Sequence, residues 1–500
     1  MTTVAFHKVD ETTIYLKSTD TGALMDLHTH FTFEVPNAKF TPAYRNKIWD
    51  GRIRLLNSQN WTLPYGLLFD GIDACKDRGY KFALEDDLKK HSIPSREECK
   101  DYIDSMVLYT GTTHIDMRDY QLEAFTHGVR EGRSLIISPT GSGKSLIIYS
   151  LIRWHLDYSD GKVLVIVPTT SLVEQLTKDF ADYSSHDDEF DAEEEIHQIY
   201  SGKDRNNIAG NVVITTWQSA VKMDKNWFLQ YGAVFGDECH LFKAKSLGKI
   251  MGMCVNASTR VGTTGTLDGS LCNERVLIGH FGPVYNVTTT KALMDKNQLA
   301  QLKITSLVLK HEDQLCKAVK KMDYHSEIDT IVGHTGRNRL ISNLAVDQED
   351  NTLVLFNFVE KHGKPLHSMI KDKTEDGRHV FYVSGEVDAL AREEIREITE
   401  KESNAIIVAS MGTFSTGINI KNLHNIIFAS PTKSQIRVLQ SIGRGLRISD
   451  NGKPTNVYDL TDDFSWGKRE NYTLKHGQER MKIYLREGFD VEFHRISLSV

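Results

Sequence analysis

From about residue 117 onward, short runs of β-branched and aliphatic residues alternate with longer stretches of helical periodicity. The runs at 134–138, 163–167, 212–216, 233–236 and 259–263 are strand-length and, 259–263 apart, dominated by aliphatic and β-branched residues. Strands without polar alternation, spaced by helical segments, predict a parallel sheet with helices on both faces. The rhythm then begins again, with runs at 352–356, 379–383, 405–409, 425–429 and 456–459. Two tandem parallel-sheet domains are therefore predicted, joined somewhere between Phe281 and Val308.

The first 108 residues follow a different pattern. They are rich in aromatic and turn residues, among them Phe31, Phe33, Phe40, Tyr44, Trp49 and Trp61, and read as a small α+β accessory domain. Asp50-Gly51, between 47–49 and 52–56, predicts a hairpin turn. The segments 95–109 and 468–486 read as helices, the latter basic and suited to packing on the rest of the chain or touching nucleic acid. The predicted division is 1–108, 109–290 and 291–500.

Composition changes this picture little. The 500 residues suffice for three domains, and 40% hydrophobic with 25% charged residues is ordinary for a globular chain. The longest apolar runs are far short of the ~20 residues a membrane helix needs. Asp10, Glu11 and Lys17 interrupt any secretory signal, so a cytoplasmic setting and no membrane partner are expected. The six cysteines lack paired spacing, which predicts free thiols in place of a zinc site or disulfides. A net charge of −7 argues weakly against a nucleic-acid partner, but a local positive track is all such a partner requires. Much of the acid lies in 182–195, which reads as a solvated loop.

Three motifs carry candidate chemistry. Ser138-Pro-Thr-Gly-Ser-Gly-Lys-Ser145 follows an apolar strand and opens a helical segment, which is the context of a phosphate-binding loop. There the backbone of Thr140, Gly141, Ser142 and Gly143 can cradle phosphates, Lys144 can reach the β- and γ-phosphates, and the Ser145 hydroxyl can ligate Mg²⁺. Ser138 departs from the plain pattern, which has glycine there. Asp237-Glu-Cys-His240 ends another strand, where Asp237 would hold Mg²⁺ and Glu238 would polarise the attacking water. In the second domain, Gln440-Ser-Ile-Gly-Arg-Gly-Leu-Arg447 places Arg444 and Arg447 on one helix face, where two guanidinium forks can stabilise transferring phosphate.

Together these motifs resemble superfamily 2 helicases, which implies tandem RecA-like domains using ATP and Mg²⁺. In this superfamily a small residue commonly replaces the first glycine of the loop. Arg118-Asp-Tyr-Gln121 resembles the adenine-sensing Q motif, with Gln121 as base reader and Arg118 beside it. The resemblance implies that Lys144, Glu238, Arg444 and Arg447 act in catalysis and that Gln440 joins the nucleotide site. It implies a coupling role for His240, for Thr264 and Thr266 of Thr264-Gly-Thr266, and for Gly417 of the motif at 410–420. Asn419 stands where many relatives carry Asp. The sequence DECH also differs from the DEAD of the RNA-dedicated group.

The front of the chain, including Trp49-Asp-Gly-Arg-Ile-Arg-Leu-Leu56 and Leu63-Pro-Tyr-Gly-Leu67, narrows the resemblance to the UvsW helicases of T4-type phages. That family resemblance implies remodelling of branched DNA: junction branch migration, fork regression, and removal of R-loops or D-loops. For DNA contacts the candidates are Thr169, Thr170, Thr216, Gln218, Thr413 and Thr416, with Lys203 and Arg205 nearby; hydroxyls in such turns also cap helices. Arg52, Arg54 and Trp49, with Tyr44, Arg45, Lys47 and Trp61, form either a junction-binding surface or a small hairpin core with solvated cations. An RNA or RNA–DNA hybrid unwinder and a non-catalytic junction-binding protein are the competing readings. Intact Lys144, Ser145, Asp237, Glu238, Arg444 and Arg447 count against the second. A monomer is the simplest reading of the oligomeric state.

Overall fold

A computed structural model describes residues 2–498 apart from 90–92, 204–207, 242–243, 268–269, 376, 388, 418–419, 421, 433, 435–437, 440 and 444–451. The chain divides into two compact units. One comprises Met1–Ser138 and Ser142–Val287, the other Thr288–Val500 together with Pro139–Gly141.

The N-terminal region of the first unit contains strands β1 (Thr3–Lys8), β2 (Thr13–Lys17), β3 (Thr62–Pro64) and β4 (Lys81–Leu84), in the sheet order β3-β2-β1-β4. Val4 and Phe6 on β1, and Ile14 and Leu16 on β2, alternate onto one face, which buries them with Leu24 and Leu27 of the helix Thr21–His30. This is the expected α+β accessory domain. The expected hairpin is not formed. Arg52–Arg54 pairs antiparallel with Thr32–Glu34, while Lys47, Ile48 and Trp49 follow the short helix Pro42–Arg45. Asp50-Gly51 still turns the chain, with Gly51 at φ +80 and Asp50 Oδ1 accepting from Arg52 N. A turn signal fixes the bend but not which strand becomes the partner.

The remainder of the first unit is built on β5 (Arg133–Ile137), β6 (Lys162–Val167), β7 (Ile196–Ile199), β8 (Val212–Thr216), β9 (Tyr231–Gly236), β10 (Thr259–Thr264) and β11 (Val284–Asn286). These form one parallel sheet in the order β7-β8-β6-β9-β10-β5-β11. Along β6, Val163, Val165 and Val167 enter one core layer with the helices Asp119–Glu131, Lys144–Tyr158 and Thr170–Tyr183, while Leu164 and Ile166 enter another. Both faces are covered, which is why the strand reads as an unbroken apolar run.

The accessory domain shares the second of these layers. Gly66 seats so closely on the helix Leu271–Phe281 that a Cβ there would lie 2.0 Å from the Ile278 carbonyl oxygen. Arg133, at the start of β5, pairs with Glu11 and lies 4.0 Å over the Tyr65 ring, and Arg275 pairs with Asp70. Arg260 is fully buried and, among the described residues, pairs with no carboxylate; it donates to the carbonyls of Met251, Cys254 and His280, and burial pushes its guanidinium down to about 10. The accessory domain and the first motor sheet thus form one packed body.

The second unit contains β12 (Leu302–Lys310), β13 (Thr352–Phe356), β14 (Val380–Val383), β15 (Ile406–Ser410), β16 (Asn425–Phe428), β17 (Thr455–Asp463) and β18 (Val491–Ser497). They form a parallel sheet in the order β14-β15-β13-β16-β17-β12-β18. Counting each sheet's strands in chain order, both read 3-4-2-5-6-1-7. The helix Tyr472–Arg486 packs on this sheet through Arg480, paired with Asp459, and through buried Tyr484.

The acidic segment at 182–195 is more ordered than a solvated loop. Asp187 pairs with buried Arg153, Asp182 accepts from Gly111 N, and Asp191 caps the short helix Ala192–Glu195 while Phe190 is buried. Each of the six cysteines is a buried free thiol. Among the described residues no helix is long and apolar enough to cross a membrane.

Candidate active site

The loop at 138–145 leaves β5 and enters the helix Lys144–Tyr158. Gly141 and Gly143 have φ +82 and +80, a backbone region that costs other residues energy and that turns successive N–H groups to one side. A Cβ at Gly143 would lie 2.2 Å from Gln121 Nε2. Ser138 is fully buried, absent from the positive-φ residues, and donates from Oγ to Ser142 Oγ at 2.6 Å. Glycine is therefore not demanded at that position, and the serine braces the loop.

Gln121 is buried and its amide is engaged at both ends. Oε1 accepts from Arg118 N at 2.8 Å, and Nε2 donates to the Ser142 carbonyl at 2.8 Å. Tyr120 OH donates to the same carbonyl at 3.0 Å, and Arg118 Nη1 donates to that phenol at 3.1 Å. The predicted base-reading cluster thus grips the phosphate loop. Thr140 is partly buried.

Asp237 and Glu238 leave the C-terminal end of β9. Asp237 Oδ1 accepts from Thr263 Oγ1 at 2.7 Å and from Glu238 N at 2.9 Å. Burial, then repulsion from Glu238, pushes the Asp237 carboxyl above its ordinary range, with Lys144 opposing. Glu238 sits at φ +46, an unfavourable backbone for a residue with a side chain, held here at a chemically charged position. Lys144 Nζ lies 3.9 Å from Glu238 Oε1 and donates to the Ser138 carbonyl at 3.2 Å. Ammonium, two carboxylates and the loop therefore lie together at the strand ends.

A chain of contacts leads away from it. His240 Nδ1 lies 3.3 Å from Glu238 Oε2 and 2.5 Å from Thr264 Oγ1, which itself donates to the Thr266 carbonyl at 3.0 Å. With the threonine proton on Thr266, the tautomer that carries the His240 proton on Nδ1 donates it to Thr264 Oγ1. The predicted coupling residues His240, Thr264 and Thr266 are thus in direct sequence from the carboxylate. Gly417 ends the helix Met411–Gly417.

The oxygen-only donor set of Ser145 and Asp237 suits a hard cation such as Mg²⁺, and the described hydrogen bonds to the Asp237 carboxylate all fall on Oδ1. Gln440, Arg444, Arg447 and Arg205 lie outside the described residues, as does the side chain of Thr416.

Of the candidate nucleic-acid contacts, Thr169 and Thr216 cap helices, accepting from Leu172 N and Ser219 N, and Thr216 is buried. Gln218 is exposed with Nε2 on the Pro168 carbonyl, Thr170 and Lys203 are exposed, and Thr413 Oγ1 accepts from Ser410 Oγ. In the accessory domain, Trp49 gives its indole N–H to the Arg52 carbonyl, Arg52 pairs with Glu34 at 3.1 Å, and Arg54 pairs with Asp50. These three are committed internally. Arg45 and Lys47 have no described ion pair, and they flank exposed Phe40, Tyr44 and Ile48.

Sequence reasoning missed Tyr120, Thr263 and Tyr183, whose hydroxyl lies 2.8 Å from Ser145 Oγ. Tyr120 and Thr263 adjoin residues that were found, which is a usable signal; Tyr183, 38 residues from Ser145, carried none.

A phosphate loop and an acidic pair on one RecA-like sheet, followed by a second sheet of identical order, define a superfamily 2 helicase. Residues 3–85 match the family of the UvsW DNA helicase N-terminal domain, 114–269 the type III restriction enzyme res subunit, and 336–449 the helicase conserved C-terminal domain. Over 489 residues the chain is 35% identical to the ATP-dependent DNA helicase UvsW of Enterobacteria phage T4, covering 95% of each. It belongs to the UvsW family of ATP-dependent DNA helicases. The crystal structure of T4 UvsW matches with a TM-score of 0.53 and 33% identity, over 99% of this chain and 100% of that one. The type ISP restriction-modification enzyme LlaBIII bound to DNA matches with a TM-score of 0.56 at 16% identity, over 85% of this chain and 34% of that one, a likeness of fold alone.

Proposed function

We propose that this helicase remodels branched DNA in phage recombination, replication and repair, acting in the host cytoplasm on four-way junctions, stalled forks, R-loops and D-loops. The observation that carries this reading is the near-full-length similarity to T4 UvsW, accessory domain included. The accessory domain is packed on the ATPase sheet through Glu11–Arg133 and Asp70–Arg275, so a branch-binding surface there would move as one body with the motor. Within it, the exposed set Phe40, Tyr44, Arg45, Lys47 and Ile48 combines cations for phosphate with rings for an unpaired base. Arg52, Arg54 and Trp49, close by in the sequence, are the further candidates for DNA contact there.

In the ATPase step, Lys144 holds the β- and γ-phosphates, and Glu238 orients the attacking water and takes its proton. Ser145 and Asp237 would hold Mg²⁺, which when bound neutralises phosphate charge. Arg444 and Arg447 would complete the charge stabilisation, and Gln440 would join the nucleotide site. Gln121, Tyr120 and Arg118 keep the loop in its phosphate-binding shape. His240, Thr264 and Thr266 relay the state of Glu238 to the adjoining strand, and Gly417 shares the coupling role in the second domain. Thr169, Thr170, Thr216, Gln218, Lys203, Arg205, Thr413 and Thr416 grip one strand by its phosphates.

The test is steady-state ATP hydrolysis without nucleic acid and with single-stranded DNA, duplex, a four-way junction and RNA, with Lys144→Ala as the inactive control. Stimulation by DNA, greatest with the junction, is the expected result. Stimulation by RNA alone would transfer the enzyme to RNA or hybrid unwinding, and hydrolysis equal in all five conditions would remove the branched-DNA reading.

A further inference from the structure

Ser145 stands in the first turn of the helix Lys144–Tyr158, and Tyr149 stands one turn further on the same face. Tyr183, the last residue of the helix Thr170–Tyr183, touches both. Its ring packs against Tyr149 with centroids 5.6 Å apart, and its hydroxyl is 2.8 Å from Ser145 Oγ. A serine inside a helix commonly turns its hydroxyl back onto a carbonyl of the preceding turn. The described partner of Ser145 is instead a phenol from another helix.

The position of Tyr183 is fixed from several sides. Tyr149 is itself packed by Phe180 and Phe190 and accepts from Arg153 Nη1 at 3.0 Å. Asp182 accepts from Gly111 N at 2.7 Å, and Ser184 Oγ donates to the Phe180 carbonyl at 3.0 Å. A phenol held this firmly can set the direction of a hydroxyl that would otherwise rotate.

We propose that Tyr183 is a positioning residue for the nucleotide site, orienting the Ser145 hydroxyl so that its lone pair faces the divalent cation that accompanies ATP. The inference rests on the reading of Ser145 as a metal ligand. When the serine oxygen gives a lone pair to a cation, its proton must point away from the metal, and the Tyr183 oxygen stands at hydrogen-bond distance to accept it. No bond to carbon, phosphorus or oxygen changes in this role. The phenol narrows the rotation of one hydroxyl before the metal arrives, and pre-arranged ligands bind at lower cost.

The experiment is equilibrium binding of a fluorescent, non-hydrolysable ATP analogue, titrated with Mg²⁺ on the full-length wild type, Tyr183→Phe and Ser145→Ala. Tyr183→Phe keeps the ring against Tyr149 and removes only the oxygen. The expected result is a rise of roughly 3–10-fold in the Mg²⁺ concentration at half-saturation, the scale of one lost hydrogen bond. Binding of the analogue in EDTA should stay at the wild-type value, and so should the thermal midpoint of the metal-free protein. Ser145→Ala should raise the Mg²⁺ midpoint further. If Ser145→Ala shifts the midpoint and Tyr183→Phe leaves it at the wild-type value, the positioning role is overturned while the ligand reading stands. If Ser145→Ala leaves it unchanged, the ligand reading falls and the role of Tyr183 falls with it. A fall in EDTA binding or in the thermal midpoint equal to the Mg²⁺ effect would make Tyr183 a packing residue only.

Discussion

The two seven-stranded sheets have the same order, 3-4-2-5-6-1-7, yet their equivalent strand ends do opposite things. After its first strand, the first sheet opens into the glycine loop at 138–145; the second runs from β12 into His311, which is buried against Phe464 with ring centroids 3.9 Å apart. After its fifth strand the first sheet has Asp237 and Glu238, and the second has Ala429 and Ser430. At the end of the sixth strand, Thr264 corresponds in place to Asp462 and Asp463. There Asp462 accepts from Arg337 Nε through both oxygens at 2.9 and 3.0 Å, and it is 2.9 Å from His311 Nε2. One edge is held open for a ligand and the other is closed by a buried ion network. Topology supplies the crevice, and a few loop residues decide whether anything enters it.

The two central carboxylates express this difference as charge. Asp237 is raised above its ordinary range, chiefly by burial and then by Glu238. Burial pushes Asp462 the same way, but Arg337 and His311 overcome it and hold that carboxyl below its ordinary value. The first is a buried acid beside a like charge; the second is a buried acid with a cation on its oxygens.

The strongest way to break the comparison is a pair of substitutions with opposite readouts. Glu238→Gln should lower steady-state ATP turnover by about 10³-fold, within the usual range for a lost general base, with the unfolding midpoint unchanged. Asp462→Ala should instead destabilise the second unit by about 3–5 kcal/mol in denaturant unfolding, because it strands a buried guanidinium. Loss of turnover without loss of stability at Asp462, or the reverse at Glu238, would mean that the equivalence of the two edges has been misread.

Acid should affect the two sheets alike, which sharpens the contrast. Burial depresses His280 in the first unit and His362 in the second to about 3, aided by Arg260 and Arg337 respectively. An unfolded histidine titrates near 6.5, so below that pH the unfolded chain gains protons that the folded chain refuses. Stability is fully present above 6.5 and should fall by about 1.4 kcal/mol per pH unit per histidine as pH drops towards 3. His362→Asn should remove its own share of this slope from the second unit only, leaving that of His334 and His424, which burial also depresses, as read by unfolding between pH 7 and 5.

How much of this was legible in the sequence depended on what the residues had to do. Strands buried on both faces announced themselves: 212–216 and 352–356 were bounded as the structure has them in Val212–Thr216 and Thr352–Phe356. Ile196–Ile199, Val284–Asn286 and Val491–Ser497 lie at sheet edges with one side wet, and Leu302–Lys310 alternates buried with partly exposed positions, so none carries a continuous apolar run. In the candidate site, Lys144, Asp237 and Glu238 stood in motifs at strand ends, and the structure brings these three side chains together. Tyr183 was not legible, because it reaches Ser145 only after two helices pack. For Arg52, Arg54 and Trp49 the sequence left a junction-binding surface and a small hairpin core both open; their partners Glu34, Asp50 and the Arg52 carbonyl were not legible, since pairing between strands is set by tertiary register.

The smallest expected effect is also the most discriminating. If Asp237 is retained for catalysis against its local stability, removing its charge should make the nucleotide-free first unit more stable. Asp237→Asn keeps the shape of the side chain, and an amide oxygen can still accept from Thr263 Oγ1 and from Glu238 N. It relieves a buried anion of a like-charged neighbour, and such changes at functional sites typically add about 1 kcal/mol. The matched change Asp462→Asn keeps shape as well, but it removes the counter-charge to Arg337 and should lower stability. Thermal unfolding in EDTA without nucleotide, read separately for the two units, should therefore move in opposite directions for two chemically identical substitutions. Movement in the same direction would show that both carboxylates are structural, and the contrast between an open and a closed edge would have to rest on the loops alone.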